Sequence, residues 1–331
     1  MRCPLGQQLR HLGPAVRRRP RPARALRRPG RPGQTSAWTV SGFRPYEFGE
    51  FTYFLESRPG HRARHFFLPD ADNLYGQTGF SQWPYSRYGS VVMPDRLARP
   101  GDHGNRDWFK GPLVPGVTAV HVPPYRDGNT FLLNMATITD SNHGHAFYFP
   151  ADDAETRVYE NGELIATGSY PQGYFTVDSG AKATYRVEVD VKDQVDQWQL
   201  ATAGHTAWTF DSAGTEGQTP LPLVNNVWDL PLDGENAARA GAPFTLAFRP
   251  ATNYDATPVP MKDASLDVSY DGGTTWRAAP TPVKDAQGAF RTVVRHPAKA
   301  GTDGFVALRV KITDENGGRL EQTVTNAYRL K

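Results

Sequence analysis

The sequence predicts an all-β protein: two antiparallel β-sandwich domains, immunoglobulin- or fibronectin type III-like, following a disordered basic segment. Three observations carry this expectation. Glycine (32) and proline (28) are abundant and aromatic residues reach 11%, a mix suited to short strands separated by turns. Apolar and polar residues alternate with period two in several stretches, as in Tyr185-Arg186-Val187-Glu188-Val189-Asp190-Val191. Turn dipeptides such as Asp127-Gly128, Asn161-Gly162 and Asp271-Gly272 punctuate these stretches, and a helical period is missing. A chain of 331 residues is long enough for two ordinary domains, placed at 38–218 and 219–331.

Residues 1–37 come first and stand apart. Residues 1–36 contain ten Arg and no acidic residue, so of the 37 basic side chains 27 remain against 34 acidic ones, and the rest of the chain carries about −7. The segment lacks the apolar run of a secretory signal, and its composition offers nothing to offset ordering entropy. Three readings stand: a basic arm for nucleic acid or another polyanion, a targeting peptide, or a segment foreign to the folded protein, from an upstream start or out-of-frame translation of GC-rich DNA. The third is preferred, so no nucleic-acid partner is expected. No apolar run approaches the roughly 18–20 residues of a membrane span. The single cysteine, Cys3, excludes an internal disulfide and a cysteine-based metal site.

From Trp38 to about Pro115 the chain is aromatic and irregular, with short strands predicted at Tyr53 to Glu56 and Gly89 to Met93. Clearer strands follow at Val117 to Val122 and Thr130 to Thr139, around a turn at Asp127-Gly128. Asn161-Gly162 predicts a type I′ hairpin. Tyr185 to Val191 and Gln197 to Phe210 complete the first sandwich. Ala213 to Thr219, polar and rich in Gly and Thr, reads as a linker. Beyond it Leu221 to Leu232, Phe244 to Phe248, Phe290 to Val294, Val306 to Ile312 and Leu320 to Leu330 make up the second domain, with Asp314 to Gly318 joining the last two strands.

Ser269-Tyr270-Asp271-Gly272-Gly273-Thr274-Thr275-Trp276 dictates its own conformation most strongly. A carboxylate acceptor precedes two residues free to take positive φ, so the chain must reverse. The pattern resembles the Asp-box, S-x-D-x-G-x-x-W, of bacterial sialidases and many secreted β proteins. That resemblance implies a structural role for Ser269, Asp271, Gly273, Thr275 and Trp276: the polar side chains hold the turn, and Trp276 plugs the sandwich. A buried ring there implies that Trp276→Ala costs about 3–5 kcal/mol. Sialidase activity is not expected, because a propeller repeats its boxes about every 40–50 residues and this chain has one. Phe43-Arg44-Pro45 also lacks the Ile of the sialidase Phe-Arg-Ile-Pro motif.

A search for chemistry finds no catalytic constellation. Nucleophile-elbow, H-E-x-x-H and phosphate-loop patterns do not occur. His143 and His145 are spaced to share one face of a strand, but Ser141, Asn142 and Gly144 favour a solvated turn. His61 and His65 lack a helical context, and Asp70-Ala71-Asp72-Asn73 lacks the Gly and distal Glu of an EF-hand loop. No metal or cofactor is expected. The aromatic residues of 38–115 suit a carbohydrate platform, yet core filling is preferred: one buried ring removes about 150–250 Å² from water, roughly 4–6 kcal/mol gross.

The order of pieces also resembles the C-terminal, non-catalytic region of secreted bacterial subtilisin-like serine peptidases. These are Trp108-Phe109-Lys110-Gly111-Pro112, Tyr185 to Val189, Thr206-Ala207-Trp208-Thr209-Phe210, Pro222-Leu223, the Val268 to Trp276 stretch, and Leu308-Arg309-Val310 running to Asn326-Ala327-Tyr328-Arg329-Leu330. The resemblance spans about residues 38–331. It implies an extracellular accessory region, exported as part of its parent protein since these residues hold no signal peptide. Its partner would be the cognate peptidase catalytic domain or an extracellular polymer. The Asp, the G-H-G-T His and the G-T-S-M-A Ser of the family are absent, and Gly204-His205-Thr206 does not match them. No enzymatic activity is therefore expected; a carbohydrate-binding or adhesive module is the alternative.

Overall fold

The computed structural model describes residues 107–118, 122–142, 145–147, 153–177, 180–192, 199–251 and 259–331, together with the backbone of four earlier strands. The Arg/Pro-rich segment before residue 36, Arg44, Pro45, His61, His65, residues 70–73 and His143 lie outside the described residues. The four early strands are β1 (Ser36–Phe43), β2 (Phe51–Ser57), β3 (Leu74–Ser81) and β4 (Met93–Arg96), paired in the order β2-β1-β3-β4. β2 covers the predicted Tyr53 to Glu56, and β1 begins at Ser36, two residues before the predicted domain start at 38.

The next strands are β5 (Val114–Gly116), β6 (Tyr125–Gly128), β7 (Thr130–Asn134), β8 (Ala136–Thr139), β9 (Ala146–Phe147), β10 (Asp153–Glu160), β11 (Glu163–Gly168) and β12 (Gln172–Thr176). Then come β13 (Ala183–Lys192), β14 (Ala203–Ser212), β15 (Thr215–Pro220), β16 (Asn225–Trp228), β17 (Ala237–Ala238), β18 (Pro243–Ala251) and β19 (Met261–Ser269). β20 (Arg277–Ala278), β21 (Val283–Lys284), β22 (Phe290–Arg295), β23 (Phe305–Asp314) and β24 (Arg319–Leu330) complete the chain. The described residues contain no α-helix, only a 3-10 turn at Lys299–Gly301. The fold is all-β, as the composition and alternation predict.

A nine-stranded sheet organises the molecule, in the order β11-β10-β13-β14-β24-β23-β19-β20 with β17 alongside β24. β17–β24 is its one parallel pairing. β14 and β24 pair over seven positions, from Ala203↔Thr325 to Thr209↔Arg319, so strands from both sides of residue 218 share this sheet. Its inner face carries Tyr185, Val187 and Val189 on β13, Trp208 on β14, Leu320 and Val324 on β24 and Leu308, Val310 and Ile312 on β23, all buried.

Three smaller sheets roof that face. β12-β7-β6-β15 brings Phe131 edge-on to Tyr185, ring centroids 4.9 Å apart. β16-β18-β22-β21 brings Phe244 to 5.3 Å from Tyr328, and Trp228 Nε1 donates to Gln322 Oε1 at 3.1 Å. β5-β8-β9 places the Pro115 carbonyl over the seam between β14 and β24, where it accepts from Thr206 Oγ1 at 2.9 Å. Thr206 and Gln322 are thus paired at that seam, whereas the buried Trp208 Nε1 has no hydrogen-bond partner among the described residues.

Two local expectations need correction. Ala213 to Thr219 is not an open linker: Thr215–Pro220 is the edge strand β15, paired with β6, and Gly217 (φ 92°) supplies the irregularity that its register shift needs. Val117 to Val122 is not a strand where it is described; the strand lies earlier, at Val114–Gly116. The Asn161-Gly162 hairpin has positive φ at both residues (50° and 89°), as a type I′ turn requires.

Candidate functional site

The Asp-box hairpin joins β19 to β20 and brings all five predicted residues together. Asp271 Oδ1 accepts the Thr275 N–H at 2.9 Å and the Ser269 hydroxyl at 2.7 Å, while Oδ2 accepts the Thr275 hydroxyl at 2.5 Å. Ser269 Oγ in turn accepts the Gly273 N–H at 2.9 Å. Hydrogen bonds from the Thr275 hydroxyl and N–H, then from Ser269, hold the Asp271 carboxyl at about 2. Gly272 and Gly273 take φ of 68° and 91°, which a side chain would resist.

Trp276 departs from its expected place. It is half-buried rather than enclosed, with the Arg309 guanidinium 4.6 Å above its ring. Register explains this. Val268 pairs with Arg277, so Trp276 stands level with Ser269 on the outer face, while the inward residues are Leu266, Val268 and Tyr270. Tyr270 is the ring that plugs the sandwich at this hairpin.

Three further turns use a related device; the sequence marks the turn at Asp314 to Gly318, but not the part its carboxylate plays. Asp233, Asp285 and Asp314 each accept the N–H of residues i+2 and i+4 through Oδ1, at 2.7–3.0 Å. In each, the N–H of residue i+3 returns to the carbonyl of the Asp, and that residue (Asn236, Gly288 or Gly317) has positive φ. The shared pattern is an Asp followed three positions later by Asn or Gly. That signal is legible, but Asp285-Ala286-Gln287-Gly288 hides it among ordinary loop residues.

The outer face of the nine-stranded sheet holds a row of titratable side chains. Across six strands the register aligns Glu155, Asp190, His205, Thr323, Arg309 and Asp267 in one row. His205 Nδ1 lies 2.8 Å from Asp190 Oδ1, and Arg157 donates to Asp190 Oδ2 and, at 3.0 Å, to Glu188 Oε2. Arg186 spans from Glu188 Oε1 at 2.7 Å to Glu321 Oε2 at 2.8 Å. Ala207 lies between Glu188 and Glu321 in the register, and its small side chain leaves room for that arginine. Burial pushes the Asp190 carboxyl up, but hydrogen bonds from His205 and Arg157 outweigh it and hold it below its usual range. Glu188 is held low in the same way by Arg186 and Arg157.

A shallow cleft of ≈ 270 Å³ opens beside His205, bounded by Glu155, Asp190, Lys192, Thr323 and Thr325. Sequence reasoning placed Gly204-His205-Thr206 in a strand without seeing its neighbours. Alternation shows that Asp190 faces outward; only the pairing of β13 with β14 shows what it faces.

His145, by contrast, is wholly buried. Its Nδ1 is 2.9 Å from Asp140 Oδ2, and Trp108 stacks on its ring at 4.2 Å. Asp140 also accepts the Phe109 N–H, and the Asn236 side chain donates to the Phe109 carbonyl while accepting the Gly111 N–H. These bonds enforce the positive φ of Phe109 (55°), a conformation costing of order 1–3 kcal/mol. The solvated turn expected around His145 is therefore a buried clamp. Among the described residues no group of three or more His, Cys, Asp or Glu side chains is placed to hold a metal.

No protein-family model matches the chain, and no curated protein matches it. Comparison with solved structures returns Salmonella alpha-2-macroglobulin in a point-mutant form and in a form reacted with methylamine. Each has a TM-score of 0.27 and 11% sequence identity, over 89% of this chain and 21% of that one. The chain spans about a fifth of the length of those proteins, and a TM-score of 0.27 does not establish a shared fold.

Proposed function

We propose that the chain is a non-catalytic accessory region of a secreted subtilisin-like serine peptidase, serving stability, localisation or substrate presentation beside the catalytic domain. One observation supports this most directly. The stretches that resemble such peptidase tails are spatial neighbours: Tyr185 to Val189 lies on β13, Thr206 to Phe210 on β14, Asn326 to Leu330 on β24, Leu308 to Val310 on β23 and the Asp-box on β19 and its hairpin. Trp108 to Pro112 is tied to the same assembly through Asn236. The resemblance thus follows one continuous packing unit rather than scattered loops. In the Asp-box itself the side chains are spent on one another, which suits a latch.

Two experiments test the reading. DNA upstream, read in all three frames, is expected to encode a subtilisin-like catalytic domain. The purified chain is expected to leave casein intact; turnover abolished by a serine-directed inhibitor overturns the proposal.

A further inference from the structure

The sheet β12-β7-β6-β15 has one face in the core and one in solvent, and the solvent face has an unusual make-up. Its inward row is Phe175, Phe131 and Arg126, all buried. One residue along, the register Tyr174↔Leu132↔Tyr125↔Pro220 turns two phenols, an aliphatic side chain and a proline outward in a single row. Tyr174 is 74% exposed, although an apolar ring in water forgoes the burial that elsewhere in this protein stabilises the core. Tyr174 and Tyr170 are the exposed aromatic side chains among the described residues, and both lie on or beside this sheet. Val122, 57% exposed, is tied to it through Asn134, whose Nδ2 donates to the Val122 carbonyl.

The polar neighbours are mostly neutral. The pair Gln172↔Asn134 lies on one side of the row and Thr176↔Thr130 on the other. Gln218 Nε2 donates to the Tyr125 hydroxyl at 3.2 Å, and Tyr174 sits close enough to raise the Tyr125 phenol further, after burial. Two carboxylates belong to these strands, Asp127 opposite Thr130 and the exposed Glu216 on the edge strand β15; both lie toward the hairpin end of β6, whereas Tyr174 is on the opposite edge strand. The outer face of the nine-stranded sheet is the reverse case, with ion pairs throughout. Rings presenting flat apolar faces, flanked by carboxamides and hydroxyls that donate and accept without net charge, complement a polyhydroxyl chain with apolar C–H faces and no ionic groups. A protein or polyanion partner would call for an apolar pocket or a basic rim.

We infer that the outer face of β12-β7-β6-β15, centred on Tyr174, Leu132 and Tyr125, is a docking platform for a neutral polysaccharide. Strand spacing of about 4.8 Å sets Tyr174 and Tyr125 roughly 10 Å apart at the backbone, so the row covers a short run of sugar units rather than one. This role goes beyond the accessory-region reading and does not rest on it: the sheet face carries it alone, and failure of the polymer test leaves the upstream-DNA test untouched.

The test is retention of the whole chain on insoluble cellulose, chitin and starch, with heparin-agarose and casein-agarose as charged and protein surfaces. Retention on at least one neutral polysaccharide is expected, weakened at least about tenfold by Tyr174→Ala, as loss of one aromatic anchor implies. Tyr174→Trp should keep binding, and both variants should keep the wild-type thermal midpoint because the side chain is exposed. No retention on any neutral polymer, equal retention of Tyr174→Ala, or retention on heparin or casein alone overturns the inference.

Discussion

His145 and His205 make nearly the same bond and occupy opposite environments. Each sets Nδ1 within 2.9 Å of a carboxylate, Asp140 for one and Asp190 for the other. The His145 and Asp140 side chains have no exposed surface, whereas those of His205 and Asp190 are about one third exposed, 31% and 38%. The difference teaches that a histidine–carboxylate pair has no fixed meaning. In the interior it clamps Trp108 to Gly111 at the edge of the core, and removing one partner strands the other. On the outer sheet face it is one link in a solvated ladder, where each pair adds little.

The clamp gives the largest effect that would break this contrast. Asp140→Ala leaves the Phe109 and Asn142 N–H groups and the His145 ring without their acceptor, at an expected cost of about 3–5 kcal/mol in urea unfolding. A loss under about 1 kcal/mol would place Asp140 in water.

A third histidine sharpens the comparison because it has no carboxylate. His296 lies between the hydroxyls of Tyr270 and Tyr328, at 3.1 and 3.4 Å, and burial lowers it from 6.5 to about 4. The fold therefore favours the neutral ring. Stability from this site is complete above pH 6.5 and is lost as pH falls toward 4, because the unfolded chain takes up the proton first. At about 1.4 kcal/mol per unit the loss is about 3 kcal/mol, read as the midpoint of urea unfolding against pH. His296→Phe should flatten that part of the profile.

Smaller effects are expected on the outer face. Trp276→Ala should cost about 1–2 kcal/mol, from partial burial and the Arg309 contact, well below the 3–5 kcal/mol of an enclosed ring. His205→Ala should cost less than about 1 kcal/mol. Urea unfolding of both variants beside Asp140→Ala orders the three sites.

Much of the fold was legible because strand alternation and turn chemistry are local. Tyr185 to Val191 announced β13, Asn161-Gly162 its hairpin, and Asp314 to Gly318 the link between β23 and β24. The Asp-box residues were legible as a group for the same reason. What was hidden depends on pairing between distant strands. The partner of Asp190 is fifteen residues away, on β14, and Arg309 meets Trp276 only once β19, β20 and β23 are in register. Trp276 looked like a core ring because its size argues for burial, but the β19–β20 register sets it level with Ser269 on the outer face, away from Tyr270. The polar stretch at 213–219 looked like a linker because an edge strand with one paired side needs little apolar character.

Chemical modification of histidines by diethylpyrocarbonate, followed by peptide mass mapping of the native protein, tests the contrast most directly. His205 should be modified at a rate near that of the urea-unfolded chain, while His145 and His296 remain protected until unfolding. Modification of His145 or His296 in the native protein as fast as His205 would contradict the division into buried and solvent-facing sites.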